Sequence, residues 1–183
     1  MKIMTTVVMA AAVVMNAQAK QARESAGQRV NVYVNNDSVP VRALQSAEAL
    51  AAEMFLTARV RIRWSGRTPD RGQLPAGAIA ITLASRAPEG FTPGAMAFAL
   101  PYERVHVTVF WDRVQHAKSF VSPSVLLAHV LVHEITHILE GSDRHSYSGV
   151  MKARWTAEDY DAMARKPLPF ASEDVDLIQR GSR

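Results

Sequence analysis

The chain has 183 residues, of which 48% are apolar, with a formal charge of +4 and a pI of about 9.7. That is enough apolar chain for one domain with a sizeable core. There is no cysteine, which excludes a disulfide scaffold, a thiolate metal site and a thiol that could cap a metal.

The chain opens MKIMTTVVMAAAVVMNAQAK. Lys2 supplies a positive end, 3–15 is mostly apolar, and Ala17-Gln18-Ala19 fits a small-x-small cleavage site. This pattern predicts a secretory signal peptide cut after Ala19, leaving 20–183 as a single domain in a secreted or periplasmic setting. The run is short for a bilayer span, and an uncut anchor is the competing reading. A polar tether over 20–28 follows. Arg29-Val30-Asn31-Val32-Tyr33-Val34 alternates and predicts a strand, and 35–38 a turn. The acceptor pattern Asn36-Asp37-Ser38 is too short to weigh. Leu44, Ala47, Leu50, Ala51, Met54 and Phe55 recur at helical spacing and predict an amphipathic helix over 41–58.

A second strand is expected over 60–64. A loop with Pro69, Gly72 and Pro75 leads to a buried strand over 78–83. A loop over 85–93 precedes an edge strand over 95–100, stopped by Pro101, and another strand over 104–110. Ser122 and Pro123 predict a helix start, as N-cap and first helical residue, and Gly141 its end. Two short helices, over 157–165 and 172–179, complete the chain. The strand–helix–strand opening favours parallel pairing, with the piece before Pro101 antiparallel at an edge. The reading is a mixed α/β fold: one twisted mixed sheet, two long helices against it and a small helical tail. Arg59, Arg61, Arg63, Arg67 and Arg71 form no dense basic block with interleaved aromatics. A solvated basic surface is expected rather than nucleic-acid binding.

Within the second long helix, His133, Glu134 and His137 spell His-Glu-x-x-His, and His145 follows. Residues four apart share a helix face, with Cβ atoms about 5–6 Å apart, so two imidazoles can grip one ion. At 100° per residue, His129, Thr136, Glu140, His137 and Glu134 fall on one polar arc from about −60° to +100° around His133. Val125, Ala128, Leu131, Val132, Ile135, Ile138 and Leu139 fill most of the remainder. Ionisable groups on so apolar a helix need a partner, and a metal ion held by neutral imidazoles supplies one. Catalytic zinc uses three protein ligands and an open position. His145 is the natural third, brought back by a reversal at Gly141. Three neutral ligands leave one Zn2+ ion its full charge. The ion then acidifies a bound water towards pKa ~7, and Glu134 takes the proton.

His133 to His145, then Gly149, Val150 and Met151, resemble the metzincin clan of zinc peptidases. The resemblance implies a secreted zinc endopeptidase with a five-stranded mixed sheet. It implies metal ligands His133, His137 and His145, general base Glu134, and Met151 as the turn methionine flooring the site. Here Gly141 lies four after His137, and His145 four after Gly141. The link is two residues longer than the usual pattern, suiting a compact, divergent bacterial-type member. An edge strand over 94–100 would pair with extended substrate. Tyr147 is either an oxyanion donor or a surface tyrosine.

His129 is expected to be a hydrogen-bonded core or supporting group, and His106 and His116 structural or exposed. Two other readings stay open: a thermolysin-like enzyme with Glu158 as third ligand, and a non-catalytic secreted zinc-binding module. The expected partners are peptide or protein substrates, with no nucleic acid, no membrane once the leader is removed, and a monomeric state.

Overall fold

The computed structural model describes residues 27–68, 74–117 and 121–181. The predicted leader over 1–19, most of the tether after it, and Arg71 lie outside the described residues. The elements run β1 (Gln28–Asn36), α1 (Val41–Thr57), β2 (Val60–Ser65), β3 (Ile79–Ala84), β4 (Ala97–Ala99), β5 (His106–Phe110), α2 (Trp111–Gln115), α3 (Pro123–Glu140), α4 (Ala157–Arg165) and α5 (Ser172–Gly181).

The five strands form one sheet in the order β2-β1-β3-β5-β4. β1 pairs in parallel with β2 and β3, β3 in parallel with β5, and β4 antiparallel with β5. This is the mixed sheet with two long helices that the alternation and periodicity predicted. β1 shows why the sheet has one core face. Val30, Val32 and Val34 are buried while Arg29 and Asn31 are exposed, the period of two along a half-covered strand. The inner face of the sheet shares one hydrophobic cluster with α1 and α3, built on Val32, Phe55, Ile81, Val107, Leu131 and Ile135.

Three expectations shift. The edge strand narrows to Ala97–Ala99. The next strand begins at His106 rather than 104, because Arg104 takes a left-handed turn (φ 55). Helix α2 was not foreseen: five residues are too few for a helical repeat to show, although Trp111 and Val114 are buried. Among the described residues no helix is long and apolar enough to cross a membrane.

Candidate metal centre

Helix α3 supplies two of the three histidines. Ser122 caps its first turn, its hydroxyl accepting from the Val125 amide at 3.4 Å, with Pro123 at the first helical position. Gly141 ends the helix at φ 65, and a Cβ there would run into the Arg104 guanidinium. Glycine adopts that φ cheaply, while the Arg104 side chain can swing away from a Cβ. The reversal carries the chain to His145.

The ligand atoms of His133, His137 and His145 lie within 4.8 Å of one another. Ring centroids are 4.8 Å apart for His133 and His137, 5.2 Å for His133 and His145, and 4.9 Å for His137 and His145. His133 Nδ1 lies 2.9 Å from the Val150 carbonyl, and His137 Nδ1 2.9 Å from the Ser142 carbonyl. A carbonyl only accepts, so each Nδ1 carries the proton. Burial holds both rings below the ordinary histidine pKa, His133 down to about 3 with His137 beside it as a second cause. Neutral rings protonated on Nδ1 present bare lone pairs on Nε2.

Those two Nε2 atoms are 3.1 Å apart. Two lone pairs at that distance repel, so this contact is no hydrogen bond between neutral rings. It becomes favourable with a cation between them. Nitrogens at about 2.05 Å from a tetrahedral zinc are about 3.3 Å apart, close to what is seen. The donor set therefore fits zinc. The carbonyl partners orient the rings and fix their tautomer.

Glu134 is buried and lines the same cleft as the three histidines. Its carboxylate finds no hydrogen bond among the described residues, so the cleft is where a partner would sit. Burial pushes its pKa up to about 8. A divalent cation nearby draws such a group back towards ionisation. The cleft holds about 570 Å³. One wall carries Ala97 and Ala99 of the edge strand, and another Lys152, Arg154, Trp155 and Tyr160.

Met151 is fully buried, and its carbonyl accepts from the Ser146 amide at 2.8 Å, closing the segment after His145 on itself. Gly149 sits within it at φ 77, where a Cβ would strike the Pro169 carbonyl. Tyr147 is fully exposed and is not among the residues lining the cleft, so it is a surface tyrosine. Glu158 is also exposed, in the first turn of α4, and takes no part in the histidine cluster. His129 is a core group as expected: Nδ1 donates to the Val125 carbonyl at 2.8 Å, and Nε2 accepts from the Leu168 amide at 3.1 Å. His106 and His116 are both exposed, outside the cluster; each ring Nδ1 meets a nearby residue's oxygen, Glu103 and Asp112.

Three features escaped the sequence. Trp155 donates Nε1–H to the Val150 carbonyl at 3.2 Å, the same oxygen that holds His133, and its ring lies 5.8 Å from His133. A tryptophan four residues after Met151 was the available signal. Arg144 donates to Asp174 at 2.7 Å, and the Ser146 hydroxyl also donates to Asp174. His145 thus sits between two residues tied to one fully buried carboxylate on α5. Finally, Glu140 keeps both carboxylate oxygens buried without a hydrogen bond, 3.9 Å from Arg144. Burial raises its pKa to about 7, against the pull of Arg144.

The sequence matches no family model and no curated protein. Among solved structures, archaemetzincin from Methanopyrus kandleri is similar, with a TM-score of 0.58 over 87% of this chain and 97% of that chain, at 16% identity. At that identity the likeness is one of fold, and this chain shares the architecture of archaemetzincin.

Proposed function

We propose that this chain is a zinc-dependent endopeptidase in which His133, His137 and His145 hold one ion and Glu134 moves the proton. The observation that carries the reading is the pair of Nε2 lone pairs 3.1 Å apart, each ring locked in its tautomer by a carbonyl, with a third imidazole alongside. The fold likeness to a protein named archaemetzincin agrees with it. Zinc bound there would acidify a coordinated water and polarise the scissile carbonyl.

The chain's own residues do the rest. Glu134 takes a proton from the attacking water onto its carboxylate and hands it to the leaving amine. Its position in a cleft with little competing protein hydrogen bonding suits both transfers. β4 is the sheet's edge, and its Ala97 and Ala99 line the cleft, so an extended peptide can add to it as a further strand. Met151 belongs to the buried floor from which the Val150 carbonyl reaches His133.

The proposal includes export: cleavage after Ala19, a mature domain of 20–183, a secreted or periplasmic location and a monomeric state. N-terminal sequencing of protein from an exporting host, with sizing in solution, tests those points. The central test is metal analysis plus a peptide-library digest, with Glu134→Ala as control. Near-stoichiometric zinc with cleavage lost in Glu134→Ala is expected. Bound zinc with no cleavage by either protein would instead make the chain a zinc-binding module, and absence of zinc would end the reading.

A further inference from the structure

Arg29, Arg61 and Arg63 looked scattered in the sequence, and the sheet assembles them. In the parallel β1–β2 register Arg29 is the partner of Arg61, and Asn31 of Arg63. All three arginines are exposed, on the face opposite the buried valines of β1. Arg61 and Arg63 stand about 6.6 Å apart along one strand, with Arg29 about 4.8 Å away on the next. Among the described residues none of the three has an ion-pair or side-chain hydrogen-bond partner.

Like charges placed opposite each other across strands destabilise a sheet. Parallel sheets are also usually covered on both faces. At the other end of this outer face a cover exists: Phe91, Phe98 and Phe110 pack together, and Arg113 lies over Phe110. Over β1 and β2, among the described residues, the arginines stand exposed without such a cover. A flat face of unneutralised guanidinium groups complements a surface of phosphates, which arginine engages two oxygens at a time.

We propose that Arg29, Arg61 and Arg63 dock the protein on an anionic phospholipid bilayer. One observation favours lipid over nucleic acid. Bases need exposed rings to stack on, yet Tyr33, the aromatic residue on this stretch of β1, is half-buried, and the exposed Tyr102 and Tyr147 lie in loops. β2 and β4 are opposite edges of the sheet, about 19 Å apart, so docking leaves the cleft beside β4 open. Surface docking of this kind replaces the expectation that the mature chain ignores membranes, and it stands or falls separately from the zinc site.

The test is co-sedimentation of the full chain with vesicles of phosphatidylcholine alone or mixed with phosphatidylglycerol, across a salt series. Expected is retention that needs phosphatidylglycerol and fades as salt rises, because screening shortens the reach of charge. The R29E/R61E/R63E variant should be retained at least tenfold less on the anionic vesicles, while the three Arg→Lys changes keep most retention. Far-ultraviolet circular dichroism checks the fold, and Arg→Gln variants replace any charge reversal that unfolds. Equal retention of the variant and the parent, or no preference for phosphatidylglycerol, overturns the proposal. So does arginine-dependent capture by single-stranded oligonucleotides that exceeds capture by the vesicles.

Discussion

Helices α1 and α3 are nearly the same length, 17 and 18 residues, yet only α3 carries two of the clustered histidines. α1 buries four residues, Ala47, Ala51, Met54 and Phe55, and has no side-chain cap at its start. It is a half-buried helix held by an apolar stripe. α3 buries thirteen residues, among them His129, Glu134, Thr136 and His137, and is closed by Ser122 at one end and Gly141 at the other. Burying those polar groups is unfavourable unless each is partnered. His129, His133, Thr136 and His137 find carbonyls, and two Nε2 atoms and Glu134 are turned towards the cleft. The difference between the helices is the difference between burial for stability and burial that readies groups for a ligand.

The largest effects should come from α3 and its return loop. His145→Ala should abolish stoichiometric zinc binding, and Glu134→Gln should keep zinc but lower kcat at least 1000-fold, both measured by metal analysis and a peptide assay. Stripping zinc with a chelator should lower Tm, since the Nε2 repulsion returns and the ligand's contribution is lost. Next comes the anchor of His145. Asp174→Ala leaves Arg144 without its closest partner and should destabilise by about 2–4 kcal/mol in urea unfolding. Asp174→Asn should fold better yet bind zinc some ten- to a hundredfold more weakly in a chelator competition. Unchanged zinc affinity in the folded Asp174→Asn protein would break the link between α5 and the third ligand.

Smaller effects are expected from ionisation. Glu140 has a folded pKa of about 7 against an ordinary 4.5. The folded state holds that proton more tightly, so its contribution favours folding at low pH and is lost as pH rises from about 4.5 through 7. Glu140→Gln should therefore stabilise the protein at pH 8, by about 1–2 kcal/mol once solvent screening and Arg144 are allowed for, and change little at pH 4. His133 acts in the opposite sense. Its folded pKa of about 3 lies below the ordinary 6.5, so the metal-free protein should lose stability as pH falls from 6.5 towards 3. Thermal unfolding of both proteins across pH checks the two slopes. Gly141→Ala should cost about 1 kcal/mol through its positive φ and displacement of Arg104. The smallest change belongs to α1: Glu53→Ala, on its exposed side, should stay within about 0.5 kcal/mol.

Much of this was legible from local pattern. Alternation in 29–34 and 60–64, the apolar run over 78–83, helical spacing in 41–58, and the Ser122, Pro123 and Gly141 signals each report a short-range preference of the backbone. They determined the strands, both long helices and the grouping of His133, Glu134 and His137, because a helix turn is short enough for sequence spacing to set geometry.

Tertiary structure decided the rest. The carbonyls of Val150 and Ser142 leave no mark in a sequence, since every residue has one, yet they set the tautomers that bare the Nε2 atoms. Asp174 lies far along the chain from His145, and Arg29 far from Arg61, so their meeting depends on how helices and strands pack. The exposure of Tyr147 and Glu158, and the burial of Glu140, follow from which face each loop and helix presents. Short-range residue preferences choose the elements, whereas partners distant in sequence come together only when the core closes.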